Sequence, residues 1–494
     1  MLWNKYRNIL YILGSLIIVL GITMTVPLVV SLVSGEGMNV YSAYYIPIVI
    51  SLLVGFVLTR FKTDTINLDL SAGMILCTFG WLISSFIGSI PFQLALDKGF
   101  IDALFEAVSG FTTTGITVFQ NLEQIPFSII LWRSLIQWLG GLGILTFFLL
   151  VTFRSGGGIW SLFTAESHKI NSSRPVPNIF KSIQILWGIY LIFTIAQIII
   201  MVLLQVGFAD AVIHSLTTIS TGGFSNYDSS IGYYQLSGHP NFRLIEYVTI
   251  FFMLMGGINF LVHYNVFKGR IKELFSNIEM KYFWRIILIF VLIIIVGHYL
   301  EGRYFNFASL EEVFRKTLFQ VTSIMTTTGY GTESIGSSFF PAAARQLFLV
   351  LMLIGGCVGS TAGGTKVMRV SVLSNLFIRE IKKINSPKRA VMPVVVDNRI
   401  ISHEEIYKMV AIFFAWILLI LVGGAITAIF SDLSGGQAIS GMFSAVGNVG
   451  PFYFSVEKMS QLSPVIKITY ILGMLAGRLE ILPLFILFRK ASWK

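Results

Sequence analysis

The chain has 494 residues, of which 55% are hydrophobic and only 12% are charged, and its mean hydropathy is +0.79. A water-soluble protein carries about 25% charged residues, so this composition excludes ordinary soluble packing and points to lipid as the surrounding medium. The net charge of +11 does not indicate a nucleic acid partner, because the basic residues cluster in short loops between apolar segments. Cys77 and Cys357 lie in apolar or Gly-rich stretches and form neither a disulfide framework nor a metal site.

Ten apolar segments meet or approach the roughly 20 helical residues that cross a bilayer core of about 30 Å. They predict transmembrane helices over residues 9–34, 42–60, 70–95, 128–153, 181–207, 243–265, 283–300, 346–378, 408–430 and 465–488. The first segment is too long for the apolar core of a signal peptide, and no small-residue cleavage site follows it, so we expect a retained span.

Lys and Arg residues alternate between the loops in a way that predicts the topology. The basic loops all fall on one side of a chain that crosses the membrane ten times. They contain Lys5, Arg7, Arg60, Lys62, Arg154, Lys169, Arg174, Lys181, Lys268, Arg270, Lys272, Lys281, the stretch from Lys366 to Lys408, Arg489, Lys490 and Lys494. The positive-inside rule then places both termini in the cytoplasm. Four Gly-containing turns fall on the outer side.

Each of these four turns follows a predicted short helix and contains a Thr-Gly or Val-Gly pair. The turns are Thr113-Thr114-Gly115-Ile116, Ser220-Thr221-Gly222-Gly223, Thr327-Thr328-Gly329-Tyr330 and Asn448-Val449-Gly450-Pro451. The third continues into Gly331 and differs by one residue from the TVGYG loop of potassium-channel filters. Aligned on Gly115, Gly222, Gly329 and Gly450, the turns are 107, 107 and 121 residues apart, and such a regular period indicates repeated structural units. The short helices are predicted over 102–112, 210–219, 314–326 and 437–447.

Four such turns in one chain are enough to surround one pore. A short helix with its C-terminus directed inward carries roughly half a negative charge there, and turn carbonyls can replace the hydration shell of a cation. Glycine permits the backbone angles that aim successive carbonyls at one axis. A single Thr-Gly pair is more simply a helix C-cap, but four pairs at matched positions predict a potassium filter. Its K⁺-binding residues are Thr113, Thr114, Gly115, Ser220, Thr221, Gly222, Thr327, Thr328, Gly329, Asn448, Val449 and Gly450.

The predicted fold class is an all-α membrane protein. It comprises four repeats of span, pore helix and span around one pore, preceded by two additional N-terminal transmembrane helices. The predicted units are residues 1–64 for the additional helix pair, 65–156 for repeat 1, 175–270 for repeat 2, 278–380 for repeat 3 and 400–494 for repeat 4.

The second span of repeat 3 is expected to be broken by a run of glycines. Each glycine costs a helix about 1 kcal/mol relative to alanine. We interpret the run as a gating loop below the filter, with close packing of small residues as the alternative. The candidate gate residues are Gly355, Gly356, Gly359, Gly363, Gly364 and the intramembrane Arg478.

Arg478 lies inside the last apolar segment, where a charge is costly and usually faces a cavity or a partner. It either pairs with Glu480 or with carbonyls of the broken helix to hold the gate closed, or it stands as an electrostatic barrier on the conduction path. The alternative is an arginine that extends to the cytoplasmic interface. Asp102 and Glu106, near the first turn, either attract cations or are simply solvated.

These features together resemble the Trk/Ktr/HKT superfamily of potassium transporters. The resemblance rests on the four turns, on Ser220-Thr221-Gly222-Gly223-Phe224, on the run from Gly359 to Lys366, and on Gly477-Arg478-Leu479-Glu480. The extra N-terminal helix pair favours the bacterial TrkH branch over the eight-span KtrB branch. In plant relatives a serine at the first filter glycine accompanies Na⁺ transport, so Gly115 favours K⁺. The fourth turn departs most from the pattern, with Val449 and Pro451.

The resemblance implies K⁺ uptake across a bacterial plasma (inner) membrane by a multi-pass homodimer, with a pore in each protomer. It also implies a cytoplasmic, TrkA-like nucleotide-binding regulatory subunit, with membrane lipid as the remaining partner. We expect no enzymatic activity and no cofactor, because the spans contain neither paired carboxylates nor histidine clusters. A Na⁺- or H⁺-coupled K⁺ symporter on the same scaffold stays open, and a requirement for a coupling-ion gradient distinguishes it.

Overall fold

The computed structural model describes residues 2–62, 69–143, 146, 179–301, 307–387, 392–397, 399–487 and 489, and helices predominate among them. Most of the second half of the predicted span 128–153 lies outside these residues. The residues from 156 to 175, between the predicted repeats 1 and 2, and the predicted unit boundaries at 64–65 and 494 lie outside them as well. The strands β1 (Val395–Val396) and β2 (Arg399–Ile400) pair antiparallel, with Val395 opposite Ile400.

The helices follow one another in chain order. The N-terminal half contains α1 (Leu2–Thr23), α2 (Thr25–Val33), α3 (Met38–Thr59), α4 (Leu70–Leu96), α5 (Phe100–Phe111), α6 (Phe127–Gly141), α7 (Ile179–Leu203), α8 (Phe208–Ile219), α9 (Tyr233–Leu236), α10 (Phe242–Gly257) and α11 (Phe260–Phe267). The C-terminal half contains α12 (Glu273–Ser276), α13 (Ile278–Leu300), α14 (Phe307–Met325), α15 (Ala342–Ile354), α16 (Val367–Ile384), α17 (His403–Ile429), α18 (Gly435–Gly447), α19 (Val456–Gln461), α20 (Pro464–Arg478) and α21 (Leu482–Ile486).

Six segments of the described chain are long and apolar enough to cross a membrane, and a bent helix pair raises the number to seven. The six are Lys5–Val33, Met38–Thr59, Ser71–Leu96, Phe180–Leu203, Ile278–Leu300 and His403–Ile429. Their outward side chains are apolar. Leu53, Ile192, Leu288 and Phe414 are each more than half exposed, as suits helices that face lipid. The count of ten spans stays a prediction.

Two predicted spans contain sharp breaks in addition to the span 346–378, which was expected to be broken. The segment 243–265 bends by 103° between α10 and α11, where Asn259 caps α11 by accepting a hydrogen bond from the backbone N–H of Leu261. In the segment 465–488, the helix ends at Arg478. Glu480 and Ile481 adopt positive φ angles of 54° and 70°, which a right-handed helix cannot contain. Apolar length alone did not reveal either break.

Four short helices, α5, α8, α14 and α18, correspond to the predicted pore helices. Three match the predicted bounds within two residues, whereas α14 begins at Phe307 rather than at residue 314. Helices α5, α6, α18 and α20 share one buried core with α4, while α14 packs in a second core with α13 and α15. These cores hold the short helices inside the bundle, so that the turns after them are buried as well.

The helix that ends at Ile354 does not resume until Val367. We call residues 355–366 the glycine loop. Gly355, Gly359 and Gly364 have φ angles of 71°, 74° and 79°, which a side chain would disfavour. The chain therefore leaves the helical conformation at Gly355 and folds back into the bundle instead of continuing straight.

Candidate functional site

The four turns have the same backbone conformation. In each, a residue in the left-handed region is followed, two positions later, by a glycine with positive φ. The left-handed residues are Thr113, Thr221, Thr327 and Asn448, with φ angles of 54°, 51°, 54° and 52°. The glycines are Gly115, Gly223, Gly329 and Gly450, with φ angles of 77°, 76°, 86° and 112°. A left-handed cap is a common way to end a helix, and here it turns the chain sharply at each helix C-terminus.

The backbone hydrogen bonds follow the same register. The N–H groups of Thr114 and Gly115 both donate to the carbonyl of Ser109, and the same pattern joins Thr328 and Gly329 to Ser323. In the second turn the donors are Gly222 and Gly223, and the acceptor is Thr217. In the fourth, Val449 donates to the carbonyl of Ser444, whereas Gly450 donates to its hydroxyl.

This register corrects the alignment of the second turn. Gly223, not Gly222, is equivalent to Gly115, since Gly223 has the positive φ. Gly222 occupies the position of Thr114, and Thr221 that of Thr113. The two adjacent glycines made the sequence ambiguous, and the more regular spacing favoured the wrong one.

The turns meet in a closed ring. A Cβ added at Gly115 would lie 2.3 Å from the carbonyl oxygen of Gly222, one at Gly223 would lie 1.9 Å from that of Thr328, and one at Gly329 would lie 2.0 Å from that of Val449. A Cβ at Gly450 would lie 3.0 Å from the carbonyl oxygen of Thr114, which closes the circuit. We call these four carbonyls and four glycines the carbonyl ring. Its fourth junction is the loosest.

A vestibule of about 920 Å³ opens on one side of the carbonyl ring and is lined by all four ring glycines. The C-terminal ends of α5, α8, α14 and α18 converge on the same ring. Each helix C-terminus carries about half a negative charge, so the helix dipoles and the ring carbonyls both favour a cation.

The three left-handed threonines point their hydroxyl groups to the opposite side of the ring, where the glycine loop and Arg478 lie. The Thr327 hydroxyl oxygen accepts a hydrogen bond from the N–H of Gly363 at 2.7 Å, and the Thr221 hydroxyl donates to Thr361 Oγ1 at 3.1 Å. β-Branched residues rarely adopt left-handed angles. Three such threonines indicate that the surrounding contacts impose this conformation.

The glycine loop is anchored to the C-terminal end of α10. The N–H of Cys357 donates to the carbonyl of Gly257 at 3.0 Å, and that of Thr361 donates to the carbonyl of Gly256 at 3.2 Å. The final carbonyls of a helix have no partner within it, and the bend after Gly257 leaves these two free for the loop. The bend in the 243–265 segment is thus part of what holds the loop beneath the ring.

Arg478 reaches the same place from α20. Its guanidinium donates to the carbonyl of Thr361 at 2.8 Å, to the hydroxyl of Thr113 at 3.2 Å and to the carbonyls of Gly141, at 2.7 Å, and Gly140. It therefore joins the first turn, α6 and the glycine loop, which does not fit an arginine extending to the membrane surface. Glu480 forms an ion pair with Arg369.

Beneath Arg478 and the glycine loop lies a smaller cavity of about 110 Å³. Trp81, Trp187, Gly363 and Arg478 contribute to its wall. The carbonyl ring, the glycine loop and Arg478 thus lie between this cavity and the vestibule.

Tyr330, which follows the third ring glycine, turns away from the ring. Its hydroxyl lies 2.5 Å from the Thr217 hydroxyl and donates to the carbonyl of His214 at 3.1 Å. The side chain is fully buried. It ties the third turn to α8, the helix that supports the second.

The two acidic residues near the first turn are neutralised by buried partners. Glu106 is 0% exposed and forms a 2.7 Å ion pair with Arg133, and Asp102 forms a 2.5 Å ion pair with Lys467. Neither is a freely solvated charge that could draw cations to the vestibule. The pair of Glu106 and Arg133 also receives the Thr117 hydroxyl and the N–H of Val118, so it supports the chain that leaves the first turn.

We expect Glu106→Gln to destabilise the protein by about 3–5 kcal/mol, because it leaves the charge of Arg133 buried without its partner. Thermal unfolding of the detergent-solubilised protein, followed by tryptophan fluorescence, measures the effect. Glu380→Gln is the control, since its ion pair with Arg379 lies at the surface and such pairs contribute little. Equal melting temperatures for Glu106→Gln and the wild type would contradict this assignment.

Sequence reasoning missed several residues of the site. Gln137 contacts the second turn, Thr361 bonds both the second turn and Arg478, and Gly141 accepts from Arg478. A polar side chain within an apolar segment was the available signal for Gln137. Backbone carbonyls such as that of Gly141 leave no trace in the sequence.

Long apolar helices around a buried ring of backbone carbonyls define a helical, multi-pass membrane protein. Comparison with known proteins identifies its family. The family model described as TrkH, cation transport protein, matches residues 37–494. The chain belongs to this family, which confirms the resemblance seen in the sequence.

Individual relatives align over almost the whole chain. An uncharacterised cation transporter of Methanocaldococcus jannaschii is 34% identical over 99% of this chain and 96% of its own length. The Trk system potassium uptake protein TrkH of Salmonella typhimurium is 30% identical over 99% of both chains. The crystal structure of the potassium transporter TrkH from Vibrio parahaemolyticus matches with a TM-score of 0.86 and 28% identity, over 99% of this chain and 100% of that one.

Proposed function

We propose that this protein takes up K⁺ through a channel-like pore whose selectivity filter is the carbonyl ring. The closed contact of four glycines with four neighbouring carbonyls carries the proposal. The proposed filter comprises residues 112–115, 220–223, 326–329 and 447–450. These ranges include every predicted K⁺-binding residue and add Thr112, Gly223, Thr326 and Gly447. The names of the relatives, which include potassium uptake proteins, support the choice of ion.

Backbone carbonyls can replace water around a dehydrated K⁺ ion. The four helix C-termini add a negative potential, and the Glu106 carboxylate near the first turn is engaged by Arg133. A neutral carbonyl ring attracts a cation but does not hold it as a carboxylate cage would, which suits conduction.

The glycine loop and Arg478 form the proposed gate in its closed conformation. A K⁺ ion that leaves the ring towards the smaller cavity would meet the Arg478 guanidinium, which already donates a hydrogen bond to the Thr113 hydroxyl. Two unit charges 4 Å apart repel each other by about 4 kcal/mol at an effective dielectric constant of 20. Conduction then requires Arg478 and the loop to move away together.

The architecture that we propose for this function is the one predicted from the sequence. It has ten spans, four repeats around the pore, both termini in the cytoplasm and the vestibule outside. We further propose a homodimer in the bacterial plasma membrane, with a cytoplasmic nucleotide-binding subunit acting on the gate. The names of the relatives assign those proteins to a Trk system, which supports a partner protein.

Uptake of ⁸⁶Rb⁺ by liposomes containing the purified protein tests the function. We expect K⁺ to compete with ⁸⁶Rb⁺ while Na⁺ and Li⁺ do not, because Na⁺ and Li⁺ lose their hydration shells less readily than K⁺ when backbone carbonyls must replace the water. Empty liposomes are the control. Failure of K⁺ to compete would overturn the proposal. Uptake that requires an imposed Na⁺ or H⁺ gradient would favour the symporter instead.

A further inference from the structure

One position of the carbonyl ring breaks its fourfold pattern. The residue before each ring glycine contributes the ring carbonyl, and in three turns it has a β-branched side chain: Thr114, Thr328 and Val449. All three side chains are fully buried. In the second turn this residue is Gly222, which has no side chain and whose φ does not require glycine.

The space beside Gly222 is filled by a side chain from another helix. A Cβ added at Gly222 would lie 2.4 Å from both Cδ and Oε1 of Gln137 and 2.9 Å from its Nε2. Gln137 belongs to α6 and is 0% exposed. Its amide group therefore occupies the volume that a threonine or valine takes in the other turns.

Gln137 also holds the backbone of the second turn on both sides of Gly223. Its Nε2 donates to the ring carbonyl of Gly222 at 2.6 Å, and its Oε1 accepts from the N–H of Phe224 at 3.0 Å. Within the described chain, Gly222 has the only ring carbonyl that accepts a side-chain hydrogen bond. A carbonyl oxygen has two lone pairs, so Gly222 can bond Gln137 and still face an ion.

We propose that Gln137 is a positioning residue for cation selectivity, which sets the direction of the second ring carbonyl in place of the side chain that Gly222 lacks. This inference rests on the proposed function of the ring as a K⁺ filter. A carbonyl directed by a fixed donor cannot follow a smaller ion inwards, so loss of the donor relaxes discrimination against Na⁺ more than it slows K⁺.

Two variants separate the hydrogen bonds of Gln137 from its volume. Gln137→Met keeps a side chain of similar length but removes both polar contacts, and we expect it to lower the Rb⁺-over-Na⁺ uptake ratio by roughly fivefold to tenfold, in line with the loss of a buried hydrogen bond. Gln137→Ala also removes the volume, and we expect a larger drop. Gln197→Met is the matched control. Gln197 is equally buried and donates a hydrogen bond at 3.0 Å to Thr218 of α8, the short helix that precedes the second turn, rather than to a ring carbonyl.

A compensating pair then tests whether Gln137 replaces the missing side chain. Gly222→Thr alone collides with the Gln137 amide, whereas Gly222→Thr with Gln137→Ala recreates the composition of the first and third turns. We expect the double variant to recover a large part of the selectivity that either single variant loses, because residues in contact have strongly non-additive effects. A side chain that merely supports the fold would give additive losses.

The assay is uptake of ⁸⁶Rb⁺ and ²²Na⁺ into liposomes by the full-length protein. Each variant must first elute as a single species in size-exclusion chromatography. Wild-type selectivity retained in Gln137→Met, or a double variant no better than the singles, would overturn the role of Gln137 while leaving the filter intact. Wild-type protein that takes up both ions alike would overturn the filter, and this inference with it.

Discussion

Gly223→Ala and Gly329→Ala are each expected to reduce ⁸⁶Rb⁺ uptake by about thirtyfold or more. Left-handed angles cost a residue with a Cβ about 1–2 kcal/mol, and forcing an atom into a packed interior costs about 1–3 kcal/mol. Each 1.4 kcal/mol corresponds to a factor of ten. The added Cβ would lie within 2.0 Å of a ring carbonyl in both cases, so the distortion falls on the ring itself. Initial uptake rates at equal protein content in liposomes give the measurement.

Gly188→Ala is the matched control, because Gly188 lies in α7 with an ordinary φ and, apart from the adjacent backbone of its own helix, no atom lies within 4 Å of an added Cβ. We expect wild-type uptake from it. Normal uptake by Gly223→Ala would show that the second turn does not contribute to the filter in the register described. It would also remove the reason for preferring Gly223 to Gly222.

Arg478→Ala is expected to raise uptake in the absence of any partner protein by at least about tenfold. The substitution removes hydrogen bonds from a charged donor to Thr361, Gly140 and Gly141, and each such bond contributes about 1.5–3 kcal/mol. It also removes the positive charge below the ring. Both changes favour an open pore, since each 1.4 kcal/mol shifts the closed-to-open equilibrium tenfold.

Arg478→Lys distinguishes the two ways in which Arg478 could act. Lysine keeps the charge but cannot reproduce the planar fork of donors. If uptake stays low in Arg478→Lys, the positive charge is the barrier. If uptake rises as in Arg478→Ala, the hydrogen bonds to the glycine loop are what holds the pore closed. Wild-type uptake by both variants would contradict the proposed gate.

Much of the site could be predicted because its signals are local. The glycines at 115, 329 and 450 stand where a helix must end in a turn, and such turns depend on a few adjacent residues. The run from Gly355 to Gly364 predicts the end of α15 for the same reason. The second turn could not be aligned from its residues, since Gly222 and Gly223 suit the pattern equally well until φ is known.

The partners of the site's polar groups depended on distant parts of the chain. Arg478 was expected near Glu480 or the broken helix, and it contacts the glycine loop, the first turn and α6 at once. The sequence predicted no role for Gln137, although its side chain fills the space beside Gly222. Asp102 and Glu106 were considered as free charges, and their partners Lys467 and Arg133 lie 365 and 27 residues further along the chain.

The sequence by itself determined that this chain is a membrane protein, where its four turns lie and where helical structure is lost after Ile354. Hydrophobic length, loop charge and glycine placement carry that information within short stretches. Tertiary structure decided which glycine completes the ring, which carbonyls Arg478 binds, and that Gln137 stands in for a side chain in the second turn. Those features arise from contacts between helices that are far apart in the chain. The local sequence is compatible with more than one ring glycine and more than one set of hydrogen-bond partners, and the packing of the helices decides between them.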